Sequence, residues 1–258
     1  MMFTDTQIGA FIQQYFLPYF RIAGMFMVMP ILGARTVPAR VKTVLAFLVT
    51  LLVVPLLPPL PATPAVSLQT LIYVAQEILI GVMTGFIFQV VFQAFVLSGQ
   101  FMAMKMGLGF ASMNDPTNGV QTTVLSQFFL MLVTMMFVSV DGHLVLIKIL
   151  VDSFQTMPPG PWIVSRSMFE QIFSLANWMF ASALVFALPI LTSLLFVNIA
   201  FGVMSRAAPQ LNIFAVGFPF TLVMGLVLLW IGLINFIPTF NKIMSFGFLT
   251  TETFLGVK

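Results

Sequence analysis

Long apolar segments, separated by short polar or proline-rich stretches, dominate this chain. Six segments are apolar over most of their length: residues 8–32, 43–60, 68–97, 122–151, 171–203 and 211–237. Each is too long for a typical strand, so the pattern predicts helices. We therefore predict an all-α protein with about six kinked or broken apolar helical segments.

The last third of the chain differs from the rest in its lack of charge. Two runs, 171–205 and 207–241, carry no charged residue and flank Arg206. Prolines fall within both runs, and glycines lie near them. This combination predicts kinked or interrupted helices, whose freed carbonyl groups must be satisfied by neighbouring protein. The prolines are Pro189, Pro209, Pro219 and Pro238.

A different pattern occupies residues 100–119, where an apolar helical run ends in glycines and a strong turn sequence. Asn and Asp bond to their own backbone, Pro fixes φ, and Gly accepts positive φ, so this stretch predicts a loop. Its methionines fit a deformable apolar seal, because Met is unbranched and repacks easily, and apolar constrictions close pores by excluding water. The candidate gate residues are Met104, Met106, Gly107, Gly109, Phe110, Met113, Asn114, Asp115 and Pro116.

Composition places the chain in or against a membrane. Hydrophobic residues make up 60% of the 258 residues and charged residues only 7%, whereas roughly a quarter of a soluble domain is charged. Membrane lipid is thus an expected partner. The net charge of +3 comes from ten scattered Lys and Arg residues, which excludes a basic face for nucleic acid. One domain spanning residues 1–258 is the simplest organisation.

The sequence contains no recognisable catalytic or cofactor-binding constellation. It has no cysteine and one histidine, which argues against thiolate and His-based metal sites. It also lacks a phosphate-binding glycine loop, a Ser-His-Asp arrangement and paired catalytic carboxylates. We therefore predict a protein that is not an enzyme and binds no metal or cofactor.

Two ionisable groups lie within or beside the third apolar segment. Glu77 needs a partner there, and Lys105, Arg21 or a group on another subunit are the candidates; we favour a structural ion pair over catalysis. Lys105 either faces the bundle interior or extends to a headgroup layer, and the sequence leaves both open. In the same segment, Gly81 and Gly85 have the spacing typical of close helix approach.

Asp141-Gly142-His143 has two interpretations. A proton relay is one, because ionisable residues inside membranes are costly and mark pathways. The other is a helix interruption near the interface, with Gly142 breaking the helix and Asp141 capping the next one. We favour the second, since no further carboxylate or histidine lies close enough in sequence to complete a relay.

Several motifs together resemble the FliR family of flagellar biosynthesis proteins, whose virulence counterparts serve type III secretion injectisomes. They are Met-Gly-Leu-Gly-Phe-Ala-Ser-Met-Asn-Asp-Pro at 106–116, Asp-Gly-His-Leu at 141–144, Asp-Ser-Phe at 152–154, Arg-Ala-Ala-Pro-Gln-Leu-Asn-Ile-Phe at 206–214 and Gly-Phe-Pro at 217–219. The match runs in order along nearly the whole chain. One departure is Asp141, where family members often have Asn or Gly, so no role is carried over to it.

The resemblance implies a chain similar to a fusion of FliP and FliQ type subunits, which joins copies of both in a pore-forming export gate. It implies a plug loop at about 106–119 and passage of unfolded flagellar substrate proteins, with FlhA and FlhB type components nearby. The implied place is the bacterial inner membrane at the flagellar basal body, protruding on the periplasmic side. Partner or structural contacts are expected at Arg206, Pro209, Gln210, Asn212 and Phe214.

The alternative from another class is a proton-coupled secondary transporter, built on the broken helices with Asp141, His143 and Glu77. Such carriers show repeat symmetry and a polar site near the membrane midplane. The sequence shows neither, so the export-gate interpretation is preferred.

Overall fold

The computed structural model describes residues 5–34, 36–57, 68–108, 123–159, 165–207 and 213–257. Within these ranges the regular structure is entirely helical, which confirms the all-α prediction. The helices are α1 (Asp5–Val28), α2 (Ala39–Val53), α3 (Leu68–Lys105), α4 (Val124–Ser139), α5 (Gly142–Thr156), α6 (Arg166–Ala207), α7 (Ile213–Gly232) and α8 (Phe236–Leu255). Short 3₁₀ turns follow α2 and α7 at Val54–Leu56 and Leu233–Asn235.

Three differences from the predicted segments change the helix count or extend a helix well beyond its predicted end. The third segment continues to Lys105 instead of ending at 97, because the polar Ser98 donates its hydroxyl to the Phe95 carbonyl inside the helix. The fourth segment is two helices, α4 and α5, separated at residues 140–141. Helix α8 was not predicted, since its polar residues obscure the apolar face.

Prolines interrupt the last third less than the sequence suggested. Helices α6 and α7 continue through Pro189 and Pro219. A proline inside a helix removes one backbone donor, and long apolar helices tolerate this where nearby hydroxyl groups or neighbouring helices compensate. Thr192 and Ser193 donate hydroxyl groups to the Leu188 and Pro189 carbonyls, and not to the Val185 carbonyl that Pro189 leaves without its N–H donor. Within the described part of this region a 3₁₀ turn at Leu233–Asn235 separates α7 from α8, and Pro209 lies outside the described residues.

Four helical stretches among the described residues are long and apolar enough to cross a membrane by length and composition. They are 39–56, 68–105, 166–207 and 217–255. Counting α4 and the bent-off α5 as one span gives up to five. These helices make the chain a membrane protein, as its composition predicted.

The contacts divide the chain into two compact units. Unit 1 comprises residues 1–90, 137–175 and 246–258, and unit 2 comprises residues 91–136 and 176–245. Helices α3, α4, α6 and α8 supply residues to both. The single-domain organisation stays a prediction.

Glycines allow α1 and α3 to touch through their backbones in unit 1. A Cβ on Gly81 would overlap the Arg21 carbonyl oxygen, and one on Gly85 would lie 2.8 Å from the Met25 carbonyl oxygen. On the facing side, a Cβ on Gly24 would meet the Ile78 carbonyl oxygen at 2.8 Å. The close helix approach predicted for Gly81 and Gly85 is therefore confirmed.

Unit 2 is built around a cluster of phenylalanines. Helices α3, α4, α6 and α8 each contribute at least one ring, and ring centroids lie 5.4 to 6.4 Å apart. Edge and tilted arrangements predominate, as the ring quadrupole favours. The rings are Phe95, Phe129, Phe186, Phe236 and Phe240.

Candidate functional site

The candidate gate begins at the C-terminal end of α3, which closes in a fixed geometry. Gly107 has φ +83°, its N–H donates to the Met104 carbonyl, and the Leu108 N–H donates to the Ala103 carbonyl. These two bonds form the Schellman motif, in which a left-handed glycine stops a helix and satisfies its last carbonyls. Gly107 thus ends the helix, as the glycines after the apolar run indicated.

Helix α7 receives the side chain just before this stop. Met106 is completely buried, and its Cγ, Cε and Sδ atoms lie 2.5, 2.8 and 2.9 Å from where a Cβ on Gly225 would stand. The absence of a side chain at Gly225 therefore creates the notch that Met106 fills. A second contact follows directly, because the Phe218 ring lies against Gly107, with Cε2 2.6 Å from a Cβ built there.

The neighbouring candidates are exposed within this chain. Met104 is 53% exposed, and Lys105, in the last turn of α3, is exposed too. The described residues leave Lys105 uncovered, and which of the two possibilities holds for it stays a prediction. The remaining gate residues lie outside the described residues, so their sealing role stays a prediction. They are Gly109, Phe110, Met113, Asn114, Asp115 and Pro116.

Arg206 stands in the last turn of α6 and is exposed. A cation at that end of a helix interacts favourably with the helix dipole. Arg206 is not buried by the part of the chain that the structure describes, and its contact with a partner stays a prediction. Pro209, Gln210 and Asn212 lie outside the described residues, and Phe214 is placed only by its backbone in α7.

Glu77 pairs with Arg21, one of the partners considered from the sequence, at the centre of unit 1. Arg21 Nε donates to Glu77 Oε2 at 2.6 Å and Nη2 to Oε1 at 3.0 Å, a bidentate geometry. The remaining donors reach the last turn of α5, at the Ser153 hydroxyl and carbonyl and the Met157 carbonyl. Both charged side chains are buried, so the pair is a structural tie among α1, α3 and α5.

The helix break predicted at Asp141-Gly142 is confirmed, but the predicted cap is wrong. Asp141 adopts φ 55° and makes no side-chain bond to the start of α5; its carbonyl oxygen accepts the N–H groups of Leu144 and Val145 instead. His143 Nδ1 finds no hydrogen-bond partner among the residues that the structure describes. Glu77 is hydrogen-bonded to Arg21. Among the described residues, Asp141, His143 and Glu77 are therefore not joined into a relay.

Sequence reasoning missed the part played by Gly225 and Phe218. In the sequence, Gly225 is only one of several glycines near prolines, and Phe218 is only part of a family motif. No local pattern signals a notch for one particular methionine, because the pairing depends on how α3 and α7 meet. The described residues contain no cluster of His, Asp or Glu able to hold a metal ion.

Comparison with known proteins identifies the family. The family described as bacterial export proteins, family 1, matches residues 12–246. The flagellar biosynthetic protein FliR of Pectobacterium carotovorum subsp. carotovorum is 38% identical over 242 residues, covering 94% of this chain and 92% of that protein.

Two further relatives carry the same name. FliR of Escherichia coli (strain K12) is also 38% identical, over 88% of this chain and 86% of its own length. FliR of Aquifex aeolicus (strain VF5) is 29% identical over 84% of both chains. The motifs, the apolar helical fold and these matches lead to one conclusion: the chain belongs to the FliR family of bacterial export proteins.

Proposed function

We propose that this chain is a non-enzymatic subunit of the flagellar type III protein export gate. With FliP and FliQ type partners it forms a pore for unfolded flagellar proteins, next to FlhA and FlhB type export components. The residues at about 106–119 form the plug of the closed pore. The complex belongs to the bacterial inner membrane at the flagellar basal body, with much of it on the periplasmic side.

The length of α6 is the observation that carries this proposal. Residues 171–205 of this continuous helix carry no charge and, at 1.5 Å per residue, extend about 52 Å. The hydrocarbon core of a bilayer is only about 30 Å thick. Fitting the whole uncharged run inside it would need a tilt of about 55°, beyond the range of roughly 0–40° seen for membrane helices. Part of the run therefore stands outside the hydrocarbon, where other protein must cover it.

The described part of the chain leaves most of α6 uncovered. In the most apolar 18-residue stretch of α6, 22% of the residues are buried, against 67% in α3. Phe196 on α6 is 72% exposed and Trp230 on α7 is 74% exposed. Lipid covers such surfaces within the bilayer, and companion subunits cover them above it. This supports assembly into a hetero-oligomer that protrudes from the membrane.

The plug role rests on opposing requirements of an export pore. A closed pore must hold back ions, which needs a close-fitting apolar seal, while an open pore must pass polypeptides of varied sequence. Flexible methionines suit both demands. The position of the candidate loop, directly after a helix end held on α7, supports this role.

Deleting residues 110–116 tests the plug. The complex should still assemble, because the deletion leaves Met106, Gly107 and their α7 contacts in place, but the inner membrane should become leaky to small ions. Ion conductance is measured in cells carrying the deletion, with complex abundance determined in parallel. Unchanged conductance at normal abundance would assign the seal to another subunit.

A further inference from the structure

We propose that Gly225 and Phe218 of α7 are positioning residues of the gate, which hold Met106 and Gly107 in one place in both the closed and the open pore. The inference builds on the proposed plug role, because it assigns the fixed support of that plug. It concerns only residues that the structure describes, all within unit 2.

The Met106 side chain fills a space in α7 that exists because residue 225 is a glycine. Met106 is fully buried, and three of its four side-chain heavy atoms beyond Cα stand where a Cβ at position 225 would clash. Removing this side chain from its site exposes its apolar surface and leaves a void, both of which oppose release. The notch therefore favours one position for the end of α3.

Phe218 strengthens the attachment from the same side of α7. Positions 218 and 225 are seven residues apart, so they lie on one face of the helix, two turns from each other. Phe218 contacts Gly107, and Gly225 contacts Met106. Two neighbouring residues at the end of α3 are therefore held by two positions on the same face of α7.

Backbone hydrogen bonds hold the C-terminal end of α3 in a fixed conformation. The Schellman bonds of Gly107 and Leu108 return to Met104 and Ala103, which ties the stop to the preceding turn. Moving the Met106 backbone away from α7 would therefore require breaking those bonds or displacing the end of α3 as a whole. A fixed attachment follows more directly from this geometry than a latch that releases in each export cycle.

Gly225→Val tests the notch, with Gly232→Val as the matched control. A Cβ at Gly232 would meet only Ile190 Cδ1 at 3.8 Å, an ordinary contact, on the same helix. At equal complex abundance, Gly225→Val should raise ion conductance toward that of the 110–116 deletion, and Gly232→Val should not. A leak-free Gly225→Val complex would overturn the proposal.

Restoring the fit provides the second arm. Met106→Ala in the Gly225→Val background removes the side chain with which valine collides, so the leak should fall and complex abundance should recover if it was reduced. This compensation separates a fitted contact from a general defect of α7. A double variant as leaky as Gly225→Val would overturn the proposal.

A disulfide distinguishes a fixed support from a releasing latch. The chain has no native cysteine, so Met106→Cys with Gly225→Cys introduces its only two thiols. Mild oxidation should join them, and the oxidised complex should export at the rate of the reduced one. Absence of the crosslink, or export that stops on oxidation and resumes on reduction, would each overturn the proposal. Met106→Cys with Gly232→Cys is the control that should not join.

The plug and its support fail in distinguishable ways. If the 110–116 deletion leaks and Gly225→Val does not, the support is wrong and the plug stands. If the deletion does not leak, the plug is wrong, and the crosslink still decides whether Met106 stays on α7 during export.

Discussion

Arg21 shows how a buried charge becomes acceptable in a chain that is otherwise so apolar. All three guanidinium nitrogens donate hydrogen bonds, and the guanidinium carbon lies 4.4 Å from the centre of the Phe154 ring. Gly81 is one turn after Glu77 on α3 and touches the Arg21 carbonyl, so the close approach of α1 and α3 is what brings the pair together. The glycine spacing and the ion pair therefore depend on the same close contact between α1 and α3.

Arg21→Met should destabilise the protein strongly, because it leaves the Glu77 carboxylate and the Met157 carbonyl buried without their donors. Breaking one side of a buried pair typically costs about 3–5 kcal/mol. The thermal unfolding midpoint of the purified complex in detergent is the measurement. Arg166→Met is the control, since its pair with Glu170 is exposed on both sides and should matter little.

Removing both partners separates the cost of an unpaired charge from the contribution of the Arg21–Glu77 pair. Arg21→Met combined with Glu77→Met removes both charges and should recover part of the loss, while the Met157 carbonyl still lacks its Arg21 donor. An Arg21→Met complex that unfolds at the same temperature as Arg166→Met would show that the tie carries no stability.

At the scale of elements, the sequence predicted helices well and contacts poorly. Length and lack of charge are properties of a segment, so α1, α2, α3, α6 and α7 could be located without any structure. Helix α8 was not predicted because Asn241, Lys242 and Thr250 break its apolar pattern. Leu255 at its end nevertheless accepts a hydrogen bond from Thr156 of α5. Local pattern carries no information about such a long-range contact.

The candidate site divides in the same way. The chemistry of Glu77 demanded a cation, but choosing Arg21 over Lys105 needed the packing of α1 on α3. Gly107 could be recognised as the end of a helix, because glycine is the usual residue there. The notch at Gly225 could not be recognised, since any buried methionine satisfies the sequence pattern equally well.

The exposed cation at the end of α6 carries a prediction about assembly. Arg206→Ala should lower the yield of the hetero-oligomer before it affects any transport step, because Arg206 is the only charge between two long uncharged runs and is not buried by its own chain. The measurement is the amount of companion subunit recovered with the tagged chain at matched expression.

Arg206→Lys is the informative companion variant. It keeps the charge near the α6 carbonyls but loses the planar fork of donors, so a normal yield assigns the contact to charge alone, and a reduced yield assigns it to guanidinium geometry. Full yield of Arg206→Ala together with lost export would contradict an assembly role and move Arg206 to gating.

At the scale of the whole molecule, the uncovered surface of α6 and α7 sets the protein's dependence on partners. Large apolar side chains on these helices are exposed along most of their length, including Phe180, Phe196, Ile199, Val223 and Trp230. Monomeric soluble proteins rarely show contiguous apolar patches beyond a few hundred Å². Lipid or detergent covers such a surface only over the thickness of one bilayer, and the uncharged run of α6 is longer than that.

The chain expressed without FliP and FliQ type subunits should therefore be proteolysed in cells or polydisperse in mild detergent, whereas co-expression should yield a defined hetero-oligomer. Light scattering after size-exclusion chromatography and native mass spectrometry measure the two states, and limited proteolysis compares their protection. Cleavage sites should concentrate in α6 and α7 of the lone chain and disappear in the complex, because burial against partners protects the same surface. A homogeneous, protease-resistant monomer would show that the chain satisfies its own apolar surface, and the export-gate assembly would then lose its main physical support.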